Sequence, residues 1–346
     1  MDKNNNLIIN ETKPEKPTQK FRFYVQIFSV LINIWIGIQF YLFVGNIKSG
    51  GMLWDVPRPP GVEGWLPLGS LVSLRYWIES GIINNIHPSG MIIFIVILLT
   101  ALFFKKAFCS WVCPVGFISE MLGNISDKIF KRRLLPPKWL DYILRSLKYL
   151  ILLFFFYAIL YQMSDISIER FVYSEYNIIS DILMLRFFTH ITTFALVVVL
   201  ILFVLSLIIR GFWCRYLCPY GALLGILGLL SLTRITRNKQ SCTNCSSCAN
   251  VCPAFIPVDK VNQVNSDECI GCMACVDVCP VDKTLQISIV SKKKKVSSLK
   301  WAIVLVVFFW GSLWVAKMWG PWENSVTNEQ YIKFMPQIEK GQFPHP

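Results

Sequence analysis

Twelve cysteines stand in this chain of 346 residues, and every one belongs to a spaced pattern. The stretch "CTNCSSCANVCP" places Cys242, Cys245, Cys248 and Cys252 ahead of Pro253, and "CIGCMACVDVCP" places Cys269, Cys272, Cys275 and Cys279 ahead of Pro280. Each reads C-x2-C-x2-C-x3-C-P, a spacing suited to cubane [4Fe–4S] clusters. Three thiolates in a tight loop can grip three irons of one cube, while the fourth, on the following turn, reaches the neighbouring cube. The expected ligand sets therefore cross between motifs: Cys242, Cys245, Cys248 and Cys279 for one cluster, and Cys269, Cys272, Cys275 and Cys252 for the other. Gly271 lets backbone approach sulfur and supplies a permissive φ. Zinc usually takes C-x2-C pairs across a longer gap, and a cytoplasmic location disfavours disulfides.

The other four cysteines form two matched pairs. "FCSWVCPVG" carries Cys109 and Cys113, and "WCRYLCPYG" carries Cys214 and Cys218; Pro114 matches Pro219, Gly116 matches Gly221 and Trp111 matches Tyr216. Lys105 and Arg210 also correspond, so the chain holds an internal repeat of about 105 residues. Spacing i, i+4 puts both thiols of a pair on one helical face. Proline fits the first position of a following helix, predicted over 117–130 and 220–232. A helix N-terminus beside the sulfur favours thiolate over thiol. Where the two helix ends meet, four thiolates converge, enough for a further iron–sulfur cluster or another metal. The competing reading is a redox-active dithiol in each half, and the plainest one is a set of buried small hydrophobes.

The elements that must position these motifs are membrane spans. The chain is 54% hydrophobic with a formal charge of +13. Residues 23–47, 80–104 and 187–209 lack charged side chains and are long enough to span a hydrocarbon core of roughly 30 Å. The shorter runs 149–164 and 301–316 suffice if Lys148 and Lys317 snorkel. Nine Lys and Arg against three acids over 105–148, and twelve against five over 210–300, place both segments in the cytoplasm. The N-terminal cations Lys13, Lys16, Lys20 and Arg22 join them, and the C-terminal tail falls outside. This charge reports topology, so nucleic acid is not expected as a partner; "KKKK" at 292–295 reads as a membrane flank.

The expected fold class is an all-α polytopic membrane protein of about five helices with an internal repeat. An α+β bacterial-type 2[4Fe–4S] ferredoxin domain is inserted on its cytoplasmic side. The expected order is a polar tail (1–20), a four-helix core (21–235), the ferredoxin domain (236–291), a fifth span (292–320) and a periplasmic tail (321–346).

Three histidines, His87, His190 and His345, are too few for stacked haems. They read as interfacial side chains, with a weaker reading of His87 or His190 as proton acceptor at an outer quinol pocket near Arg75 or Glu79. No C-x-x-C-H, dinucleotide fingerprint or P-loop is present, so covalent haem, dinucleotide and ATP chemistry have no seat.

The paired "CSWVCP" and "CRYLCP", the tandem ferredoxin motifs and the segment "RPPGVEGWLPLGSLVSLRYW" together resemble the NapH/NosR-type membrane ferredoxins, with NapH the nearer type. The resemblance covers roughly residues 21–290 and departs from NapH in a fifth span and an outer tail. It implies a bacterial inner-membrane protein, an electron-transfer subunit of a quinol dehydrogenase rather than a stand-alone enzyme. Its partners would be quinol and a periplasmic or membrane redox protein. The alternative is a maturation factor that reduces a metal or cofactor for a respiratory metalloenzyme.

Overall fold

The structure is a computed structural model that describes residues 7–8, 17–52, 56–289 and 294–341. Lys13, Lys16, His345 and the first two lysines of "KKKK" lie outside the described residues. The chain is mostly helical and divides into two compact units.

One unit gathers Met1–Val30, Ile97–Leu152 and Val198–Gly311, and holds all twelve cysteines. Its sheet has three antiparallel strands, with Leu285–Ile289 between Thr233–Arg237 and Lys294–Val296. The register runs from Thr233 opposite Ile289 to Arg237 opposite Leu285. Alternation buries Ile235, Leu285 and Ile287, as a half-covered sheet requires. Both ferredoxin motifs lie in the connection between its first two strands, each with one short helix, Ser247–Asn250 and Ala274–Val278.

The other unit comprises Leu31–Val96, Leu153–Val197 and Ser312–Pro346. Its core packs Phe40, Phe43, Val44 and Ile47 against Ile179, Ile182 and one face of the Asn328–Glu339 helix (Tyr331, Phe334, Met335, Ile338). Thr327 and Gln330 close a capping box at the start of that helix. A second cluster joins Val72 and Tyr76 to Ile159, Ile168 and Val172.

Among the described residues three helices are long and apolar enough to cross a membrane: Pro17–Lys48, Lys138–Gln162 and Ser298–Trp319. Ser180–Thr189 and Thr193–Ile208 make a fourth if the pair, bent by 77°, counts as one span. The predicted span limits shift accordingly. The run at 149–164 is the latter part of a helix that begins at Lys138, because amphipathic turns precede the apolar run. The run at 80–104 becomes helical only at Pro88, since Gly81 ends the preceding helix in a left-handed conformation. That leaves an apolar helix of 17 residues, Pro88–Phe104.

Candidate metal centres

The local structure of the C-x3-C-P motifs follows their sequence. Cys113 and Cys218 each cap a helix whose first residue is the motif proline, Pro114–Phe130 and Pro219–Leu229. The missing proline N–H is one that no helix start could have paired. The repeated glycine has a steric cause in the first copy. A Cβ on Gly116 would lie 1.9 Å from the Cys109 carbonyl oxygen, whereas one on Gly221 would lie 3.5 Å from that of Cys214. The turns between the cysteines differ from the simple i, i+4 helix expected: Phe108–Trp111 is one α-turn, while Trp213–Leu217 is a π-turn.

The two pairs do come together. Cys109, Cys113, Cys214 and Cys218 lie within electrostatic reach of one another, and the Lys106 ammonium lies within reach of Cys109, Cys214 and Cys218 and of the Glu268 carboxylate. The expectation that helix N-termini would favour thiolate needs correction. The Gly221 N–H does donate to Cys218 Sγ at 3.3 Å. Burial nevertheless outweighs the N–H groups of Gly116 and Val115 and raises Cys113 to about 11. Burial and the neighbouring sulfurs raise Cys214 to about 12.

The ferredoxin cysteines line two separate cavities. Cys242, Cys245, Cys248 and Cys279 line one, with Arg237 and Asp259 beside them. Cys252, Cys269, Cys272 and Cys275 line the other, with apolar neighbours Ile235, Val258 and Val264. Each cavity thus draws three cysteines from one motif and one from the other. The first is the more open: Cys245 is exposed, and Arg237 Nη1 donates to Cys242 Sγ at 3.3 Å. Backbone and Arg237 hydrogen bonds lower Cys242, and Ser247 lowers Cys245. In the second all four thiols are buried, and burial raises Cys252 to about 12. Among the described residues no three His, Cys, Asp or Glu side chains are arranged to hold a single metal ion. The four cysteines gathered in each cavity instead have the donor chemistry of an iron–sulfur cluster.

Each C-x3-C-P turn also grips a ferredoxin loop. Ser110 Oγ donates to the Ile270 carbonyl at 2.5 Å and Trp111 Nε1 to that of Gly271 at 3.0 Å. Gly271 has φ +60°, the permissive backbone expected of it, and its Cα faces the Phe104 carbonyl and Ala107. In the second copy Arg215 Nη1 donates to the Ala254 carbonyl at 3.2 Å, and its guanidinium is held by Asp141 at 2.8 Å. Nearby, Lys148 and Arg145 pair with Glu268, and Tyr149 donates to Asp267.

A second polar cluster, unforeseen in its composition, lies in the other unit. Arg58 pairs with Asp181 at 2.7 Å and Glu63 at 2.8 Å. Glu63 accepts from Ser89 at 2.5 Å and the Gly90 N–H at 2.9 Å, and faces His87 Nδ1 at 3.4 Å. His87 Nε2 donates to the Asn177 carbonyl at 2.7 Å. The Arg58 guanidinium and His87 hold the Glu63 carboxyl below the usual range despite its complete burial. The residues proposed beside a histidine lie elsewhere: Arg75 binds Glu79, the Met163 carbonyl and Asp165. His190 only follows the end of the Ser180–Thr189 helix. The signal for the cluster was the charge within "RPPGVEGW", which local spacing could not pair with Asp181.

Comparison with known proteins adds names to this geometry. A family model described as a 4Fe-4S binding domain matches residues 86–133 and again 191–238, the two repeat copies. A 4Fe-4S dicluster domain matches 234–280. The chain is 41% identical to YccM of Escherichia coli (strain K12), a protein whose name assigns it to electron transport, over 90% of this chain and 88% of that one. It is 29% identical to the regulatory protein NosR of Pseudomonas aeruginosa and 30% to NirI of Paracoccus denitrificans, covering 47% and 48% of this chain. Those matches span only 23% and 24% of NosR and NirI. No solved structure matches.

Proposed function

Because the chain belongs to the family of the Escherichia coli protein YccM, we propose that it is a membrane-bound iron–sulfur protein carrying electrons between the quinone pool and a redox partner. The observation that supports this best is the division of eight cysteines between two cavities in the crossed sets. In this reading Cys242, Cys245, Cys248 and Cys279 hold one [4Fe–4S] cluster, and Cys269, Cys272, Cys275 and Cys252 hold the other. Such clusters supply one-electron storage when bound. The protein's own share is positional: Arg237 gives an N–H to Cys242, and Ser110 and Trp111 pin the backbone between Cys269 and Cys272.

Cys109, Cys113, Cys214 and Cys218 make a third site in the same reading. Their mutual proximity supports it, as does the 4Fe-4S binding family that matches both copies. The reading includes five spans in an inner membrane, with the apolar Pro88–Phe104 and Thr193–Ile208 helices among them. The cysteines face the cytoplasm and the tail faces the periplasm, following the basic excess of 105–148 and 210–300. A NapH-like quinol dehydrogenase component that serves a periplasmic reductase fits this arrangement.

The test is anaerobic purification followed by iron counting and reduction with a soluble menaquinol analogue. Two clusters bring about eight irons per chain and a third about twelve. We expect about twelve, falling to eight in the double variant C109S/C214S, and reduction by the quinol analogue. Eight irons unchanged by that variant would remove the third site. Full clusters that the quinol cannot reduce would favour a maturation factor.

A further inference from the structure

Lys105 and Lys106 are neighbours in sequence, yet their side chains serve different surroundings. Lys105 has φ +59°, a left-handed backbone that costs a β-carbon-bearing residue energy. Its N–H is held by Ser231 Oγ at 3.0 Å and its carbonyl by the Ala107 N–H at 2.7 Å. That kink turns the chain out of the Pro88–Phe104 helix into the first cysteine turn. It also sends the two lysine side chains apart.

Lys106 is 3% exposed, and its ammonium lies within electrostatic reach of Cys109, Cys214 and Cys218 as well as Glu268. Its Cε and Nζ are each 3.5 Å from where a Cβ on Gly221 would stand, beside the N–H that caps Cys218. Lys105 is 2% exposed, and its Nζ has no hydrogen-bond partner. Phe104 and Ala107, on either side of the pair, abut Gly271 of the second ferredoxin loop, and Lys105 lies within electrostatic reach of Cys269 and of the Arg234 guanidinium, with burial and Arg234 together drawing its pKa down. Burying an ammonium with nothing to bind is costly. An anionic group held by the four thiols of that cavity would supply the counter-charge that keeps the buried amine protonated.

We infer that Lys105 and Lys106 form a forked counter-charge, Lys105 serving the Cys252, Cys269, Cys272 and Cys275 cavity and Lys106 the four C-x3-C-P cysteines. Both act as positioning charges. Each favours the reduced, more negative state of the group beside it. Among the described residues the first cavity is lined by no buried lysine; its cation is Arg237, at an open edge.

The inference rests on the proposed cluster ligation, and the experiment separates the two. Full-length protein is purified anaerobically, iron is counted, and the clusters are titrated by EPR in wild type, K105M, K105R and K106M. The signal lost in C275S identifies the Lys105 cluster. K105M is expected to disfavour its reduction at least tenfold, a drop of 59 mV for a one-electron couple. The other ferredoxin cluster should move less than threefold. K105R, which keeps the charge, should restore the potential. K106M should leave both ferredoxin potentials within threefold while lowering the third signal or losing its iron. Since Nζ has no protein partner to lose, K105M should accumulate as well as wild type. A K105M protein that fails to fold and is not rescued by K105R, or one whose two ferredoxin clusters shift equally or not at all, would overturn the inference. Wild type with fewer than about eight irons would overturn the ligand assignment and this inference with it.

Discussion

The two copies of the repeat share cysteine, proline and glycine but spend the residues between them differently. In the first copy, Ser110 and Trp111 point their donors at the Ile270 and Gly271 carbonyls. In the second, Arg215 and Tyr216 turn to the same carboxylate, Asp141, at the start of the Lys138–Tyr157 helix; only one Arg215 nitrogen reaches a ferredoxin loop. One helical turn further on the contrast repeats. Glu120 binds Arg22 and Gln26, while its counterpart Gly225 leaves room for the Asp267 carbonyl, 2.8 Å from where a Cβ would stand. The shared residues build the thiol pairs, and the unshared ones decide what each pair is fastened to.

That contrast can be broken at several points. The largest effect is expected from Asp141→Ala, which leaves the buried Arg215 guanidinium and the Tyr216 hydroxyl without their carboxylate. We expect a loss of about 3–5 kcal/mol, read as a lower Tm in detergent. Next comes Gly116→Ala, which drives a methyl into the Cys109 carbonyl and should cost about 1–3 kcal/mol. Gly221→Ala, at ordinary contact distance, should stay within about 0.5 kcal/mol. Equal effects of the two glycine variants would show that the copies are sterically equivalent after all. Trp111→Phe removes one hydrogen bond to a buried carbonyl, worth about 1 kcal/mol. Hydrogen exchange at 270–273 should quicken while that at 254–256 does not.

The smallest effect is acid sensitivity. Arg22 and Gln26 hold Glu120 below the usual carboxylate range in spite of burial, and Tyr149 and Arg145 do so for Asp267. A carboxyl depressed on folding stabilises the protein fully above its unfolded value, about 4, and loses that contribution as pH falls through the folded one. Melting between pH 6 and pH 3 should therefore decline on the acid side, and Glu120→Gln should flatten part of the decline.

Much of this was legible in the sequence because cysteine spacing and proline placement are local. Pro114 and Pro219 start helices for the reason their missing N–H suggests, and Gly271 takes the positive φ its place between cysteines requires. What escaped depends on long-range pairing. Arg58 meets Asp181 123 residues away, and no periodicity announces it. Lys105 and Lys106 counted as two more basic residues at a span's end, where burial makes them part of the site. The thiolate expectation reversed at Cys109, Cys113 and Cys214 for the same reason, since burial there outweighs what a helix N-terminus offers.

The unequal exposure of the two ferredoxin cavities carries one more consequence, for a cell that meets air. Oxidants reach sulfur and iron through solvent, and Cys245 stands in it while Cys252, Cys269, Cys272 and Cys275 do not. Damage should then be ordered. Under a slow oxygen leak, iron should leave the open cavity first, while the buried one, still joined to the membrane helices by Trp111, stays intact. Repair after such a leak would then need to rebuild only the outermost cluster.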